Sequence, residues 1–204
     1  MWTTTEAPEV IMALGTLLAG SAAIWGAVSA HRGLHSWKTQ SVWQQERELS
    51  KQLLVALKKR EHAIESMRSP FGSMSFEALG DKEKRWEETK ADYQRRIEKL
   101  NAARQTFYGL SIEAEITWGE GFSNHVSPMI SLEADLLVAI EDYLAGLDPD
   151  SEMEDIWSSK DERLKERKVV FGRLSSSDEF GAKYQDALIA MQDYLRPKLG
   201  LSPQ

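Results

Sequence analysis

The chain reads as all-α, an N-terminal single transmembrane helix followed by a cytoplasmic helical bundle or long helical hairpin of about five helices. Three observations predict this. No segment alternates apolar and polar residues with period two for long enough to form a strand. Apolar residues instead recur every three or four positions through most of residues 36–195. An uncharged run from Val10 to Ala30 precedes them. The division expected is a short extracytoplasmic N-terminus at 1–9, a transmembrane helix at 10–30 and one cytoplasmic domain at 31–204.

The first element is the uncharged run. As an α-helix, Val10 to Ala30 would be about 31 Å long, close to a hydrocarbon core of about 30 Å. A cleaved export signal is the rival reading, since "VSA" at Val28 to Ala30 resembles a cleavage site. The segment ahead of the run carries Glu6 and Glu9 where such a signal needs Lys or Arg, which favours an uncleaved anchor. Residues 1–30 hold two acids and no Lys or Arg, whereas 31–70 hold eight bases against four acids. The positive-inside rule therefore places the N-terminus outside and the main domain in the cytoplasm, the address being a bacterial inner membrane. Gly15, Ala19, Ala23 and Ala27 recur every four positions, with Gly26 in a second such row, and could let another membrane helix approach closely. No ionisable side chain lies within the run, so nothing there suggests an ion path or proton relay.

The second element, Ser36 to Met67, lacks Pro and Gly and sets Trp43, Leu53, Leu57, Ile64 and Met67 on one face, continuing the anchor as an amphipathic helix. Arg32, Lys38, Lys58, Lys59 and Arg60 are assigned to lipid headgroups, which attract juxtamembrane bases at about 1 kcal/mol each. Nucleic acid is the weaker partner for this stretch because the remainder is acidic and the net charge is -7. Pro70, Gly72 and Gly80 then mark a loop, in which Arg68, Pro70 and Phe71 are candidate interaction residues.

A helix capped by Asp81 should carry Trp86, Tyr93, Ile97, Leu100, Phe107, Leu110 and Ala114 on one seam. "WGEGFSNHVSP", Trp118 to Pro128, should break it, and Trp118 and Glu120 are further candidate interaction residues. The third bundle helix sets Ile130, Leu136, Leu137, Ile140, Leu144 and Leu147 on its apolar side and Glu133, Asp135, Glu141 and Asp142 on its polar side, closing at "GLDPD". A mixed-charge helix with Ile156, Trp157, Leu164 and Val170 follows, then a last helix with Phe180, Tyr184, Leu188, Met191 and Leu195, stopped by Pro197 and Gly200.

The anchor followed by "HSWKTQ", "ELSKQLLVALKKREHAIESMRSPF", "KRWEET" and "IEAEITWGEGF" resembles a group of bacterial single-pass membrane proteins with a cytoplasmic helical domain. The resemblance covers roughly residues 10–147 and implies the architecture; it implies no activity.

The chemistry left open is narrow. Without cysteine there is no disulfide, thiolate metal site or cysteine nucleophile. His31 and His35 share a helical face but lack a third ligand, and His62 and His125 have no second ligand nearby. "DPDSEMED", Asp148 to Asp155, fails as a calcium loop because Met153 and Ser159 stand where Gly and Glu are required. Glu113, Glu115 and Glu120 form an acidic corner that would need a pocket to do acid–base work. No phosphate-binding loop, dinucleotide fingerprint or nucleophile elbow is present. The expectation is a non-catalytic, membrane-tethered helical interaction or scaffold protein with no metal and no cofactor, contacting lipid and a protein partner or itself. Two alternatives stand beside it: a defence or stress effector acting through oligomerisation, and an enzyme using the carboxylates from Glu113 to Glu120.

Overall fold

In the computed structural model, residues 6–70, 80–150, 167–174 and 178–202 are described. Among them every regular element is helical: α1 (Glu6–Arg68), α2 (Lys82–Trp118), α3 (Gly121–Ala145), a single turn at 167–170, α4 (Glu179–Leu195) and a closing 3-10 turn, Arg196–Leu199. The chain contacts fall into two units, Met1–Gln45 and Glu46–Gln204, with α1 contributing residues to both.

In the first unit α1 is helical from Glu6, and the apolar side chains described there lie open. Leu17, Leu18, Ile24 and Trp25 are each about 70% exposed or more. Trp43, expected on a buried seam, is also exposed. Gly15 and Gly26 have open space where a Cβ would sit. Among the described residues no helix is long and apolar enough to cross a membrane; the side chains of residues 1–11, 13, 19, 32–36 and 39 lie outside the described set.

Among the described residues the second unit is a bundle of four long helices in up-down-up-down order. Successive helices run antiparallel, as their pairings show. Ser66 of α1 meets Arg96 of α2, while Arg60 meets Phe107 further along. Glu115 meets Ser123, and Tyr93 meets Tyr143, between α2 and α3. Glu133 meets Tyr184, and His125 meets Tyr194, between α3 and α4. Between α2 and α3 the connection is only Gly119 and Glu120, which forces that pair antiparallel.

Each helix buries a heptad-like row. In α1 it is Leu49, Leu53, Leu57, Arg60, Ile64 and Met67; in α2, Tyr93, Arg96, Leu100, Phe107 and Ala114; in α3, Phe122, Val126, Met129, Glu133, Leu136 and Ile140; in α4, Phe180, Tyr184, Leu188, Met191 and Leu195. Asp81 caps α2 as expected, its carboxylate accepting from the amides of Glu83 (3.0 Å) and Lys84 (3.2 Å). Gly119 ends α2 at φ 78°, a backbone angle that favours glycine, and its amide donates to the Glu115 carbonyl at 2.8 Å. The last helix and its stop at Gly200, φ 77°, also follow the expectation.

Three details correct the sequence reading of α3. Pro128 does not end a helix; it sits inside α3 on an exposed face, where its missing N–H frees a carbonyl one turn back. Ile130 is exposed, and Glu133, assigned to the polar side, is completely buried. The buried row runs 122, 126, 129, 133, 136 and 140; it keeps Leu136 and Ile140 from the expected row and takes Met129 and Glu133 in place of Ile130. Ile156, Trp157 and Leu164 lie outside the described residues; Val170 is buried in the 167–170 turn.

Candidate functional site

The bundle holds its charge inside. Arg60 occupies a core position of α1, between Leu57 and Ile64, and Glu133 a core position of α3, between Met129 and Leu136. They form a bidentate pair: Arg60 Nε donates to Glu133 Oε1 at 2.5 Å and Nη2 to Oε2 at 2.8 Å. The Tyr184 hydroxyl of α4 donates to Oε1 at 3.0 Å, and Arg104 of α2 brings Nε to 3.4 Å from Oε2. The Arg60 guanidinium also lies over the Phe107 ring, 5.0 Å from its centroid. All four helices therefore meet in one polar layer. A buried carboxylate is tolerated only when its oxygens are satisfied, and here both are. Burial, with the adjacent Glu133 charge, pushes the Tyr184 phenol well above its ordinary value of 10.0, so Tyr184 remains a donor.

A second cluster closes the bundle near the end of α1. Arg68 is fully buried; it donates to the carbonyls of Val169 (2.8 Å), Lys168 (2.8 Å) and Arg173 (3.4 Å), pairs with the Asp178 carboxylate and stacks over Phe180 at 4.5 Å. Gly172 packs closely there: a Cβ would come within 2.5 Å of Asp178 Oδ2 and 2.7 Å of Arg68 Nη2, so the pair would have to shift. Arg96 binds the last carbonyls of α1, donating to Ser66 at 2.7 Å and Ser69 at 2.8 Å, with Asp92 at 2.7 Å on its other side. Tyr93 beside it is pushed above its ordinary value, chiefly by burial.

At the opposite end Trp118, Phe122 and Tyr194 pack with ring centroids about 6 Å apart, and the Lys198 ammonium lies 4.3 Å from the Trp118 centroid. Burial holds the Lys198 ammonium below its ordinary value.

Against this geometry the sequence-derived sites divide. Arg60 is removed from the headgroup set, since it is spent on Glu133 inside the bundle. Lys38, Lys58 and Lys59 are exposed, Lys58 pairing with Glu61 at 2.7 Å; the side chain of Arg32 lies outside the described set. Arg68 is not a loop residue but the last residue of α1, with its guanidinium consumed internally. Pro70 is exposed and Phe71 lies outside the described residues. Trp118 is half-buried in the aromatic cluster and Glu120 is exposed. Gly15, Ala23, Gly26 and Ala27 are exposed, while the side chain of Ala19 is outside the described set.

The three corner acids are not brought together. Glu115 accepts a hydrogen bond from Ser123 at 2.9 Å and lines a groove between α2 and α3. Glu113 lines a different groove, between α1 and α2, and Glu120 lines neither. His62 lies 3.2 Å from Glu65, and His125 packs on Tyr194. Among the described residues no group of three or more His, Asp or Glu side chains is placed to hold a metal ion.

The residues the sequence reading missed include Glu133 and Arg96, both at core positions of their helices, and Arg104 beside Glu133. A signal for Glu133 was present: α1 carries Arg60 and α3 carries Glu133 on their seven-residue rows, and opposite charges at seam positions predict a buried pair. No protein-family model, curated protein or solved structure matches the chain.

Proposed function

We propose that this protein is a membrane-tethered helical scaffold, non-catalytic, in which Val10 to Ala30 anchors the chain and the bundle of residues 46–204 presents its surface to a protein partner. The observation that carries the reading is the exposure of Leu17, Leu18, Ile24 and Trp25 on α1. Apolar side chains left open in a row favour a nonaqueous neighbour, at roughly 25 cal/mol per Å² covered. The full run has the length of a hydrocarbon core and no ionisable side chain, and the bases that follow it favour an N-out orientation. The buried guanidinium groups at Arg60, Arg68 and Arg96 are committed to internal partners, so the bundle would meet a partner with its outer surface rather than with these charges.

Alkaline extraction of membranes from expressing cells tests the anchor. The full-length protein is expected to stay in the pellet, and a double variant Leu17→Arg, Ile24→Arg to move to the supernatant while keeping its helical circular dichroism. Release of the unaltered protein by alkali would contradict the anchor. Purification of the detergent-solubilised chain, sized by light scattering, then separates a heteromeric scaffold from a homo-oligomer.

A further inference from the structure

The groove between α2 and α3 is a place the bundle leaves unfilled. It encloses about 490 Å³, within the range of small-molecule sites. Phe107, Phe122 and Val126 form an apolar floor, and the hydroxyls of Ser111 and Ser127 line its walls. Arg104 stands at one end, a third exposed, with its Nε turned to Glu133. That carboxylate already accepts both donors of Arg60 and the hydroxyl of Tyr184, so two guanidinium groups share one negative charge. The excess positive charge falls on Arg104, whose Nη atoms have no protein partner among the described residues. Glu115 lies eleven residues further along α2, about 16 Å away by helical rise, and repels an anion from the other end.

We infer that this groove binds a small monocarboxylate with a hydrocarbon body, its carboxylate on the Arg104 fork and its apolar part over Phe107, Phe122 and Val126. The Nη groups of Arg104 are the open part of its guanidinium, and their planar edge matches one carboxylate bidentately. The inference does not depend on the membrane anchor, since every residue it uses belongs to the bundle.

Isothermal titration of the full-length chain in lipid nanodiscs, with empty nanodiscs as the blank, tests it using phenylpropanoate and the neutral phenylpropanol. The acid should bind, and the alcohol should bind about tenfold more weakly or worse. Arg104→Met should lower the acid to the alcohol's affinity and leave the alcohol unchanged. Ser127→Trp, at an exposed position away from the polar layer, should abolish both. Equal binding of acid and alcohol, unchanged acid binding in Arg104→Met, or no binding of the acid at millimolar concentration would each overturn the inference. If Arg104→Met fails to fold, the acid–alcohol pair and Ser127→Trp still decide.

Discussion

Residues up to Gln45 and the bundle from Glu46 onward invert each other's chemistry. In the first unit large apolar side chains such as Leu17, Ile24 and Trp25 are open, while in the second Arg60, Arg68, Arg96 and Glu133 are buried. Both arrangements are unfavourable in water unless something compensates. In the bundle the compensation is internal: each buried charge meets donors or acceptors from other segments of the chain. For the first unit none is seen among the described residues, and a bilayer is the neighbour proposed. The comparison teaches that exposure of the wrong residue type points outward to a partner, whereas burial of the wrong type points inward to a lock.

The sharpest way to break the comparison is to remove one side of the lock. Glu133→Ala leaves Arg60 and Tyr184 buried without their acceptor, and the cost should be about 3–5 kcal/mol, enough to unfold the bundle in urea at concentrations the parent tolerates. Leu17→Arg, which changes only the first unit, should leave that urea midpoint in place.

Alkaline pH should act on the bundle in the same direction. The folded state holds the protons of Tyr93 and Tyr184 above the ordinary 10.0, chiefly by burial. Above about pH 10 the unfolded chain loses those protons and the folded chain keeps them, so stability falls as pH rises, with a limiting slope of about 1.4 kcal/mol per pH unit for each tyrosine. Urea titrations at pH 8 and at pH 11 would show it as a lower midpoint; an unchanged midpoint would mean the two phenols ionise freely in the fold.

Gly172→Ala should cost about 1–3 kcal/mol, because the added methyl meets the Arg68–Asp178 pair on both sides. The smallest expected effect is Asp81→Ala, about 1 kcal/mol for one lost helix cap, visible as a modest shift in thermal midpoint.

How much of this was legible in the sequence differs by element. α2 and α4 were readable because their seams consist of large apolar residues at helical spacing, and Asp81, Gly119 and Gly200 punctuate them with side-chain or backbone chemistry that works locally. α3 was readable as a helix but not in its rotation, since Ile130 and Glu133 sit three residues apart and hydropathy alone assigns the isoleucine to the core. Only the charge on Arg60, seventy-three residues earlier, makes burial of Glu133 favourable. Arg68 and Arg96 were illegible for a related reason: their partners are mainly backbone carbonyls, which no side-chain pattern announces. The groove beside Arg104 needed the helices in place before it existed.

The open apolar stretch of α1 is proposed to lie in a membrane, with the N-terminus and the C-terminal end of the chain on opposite sides of it. Because the chain has no cysteine, single substitutions report topology without background. In bacterial spheroplasts treated with a membrane-impermeant maleimide, Thr4→Cys should label in intact cells and Ser202→Cys only after lysis. Labelling of both positions only after lysis, together with recovery of the protein from the alkaline supernatant, would contradict it.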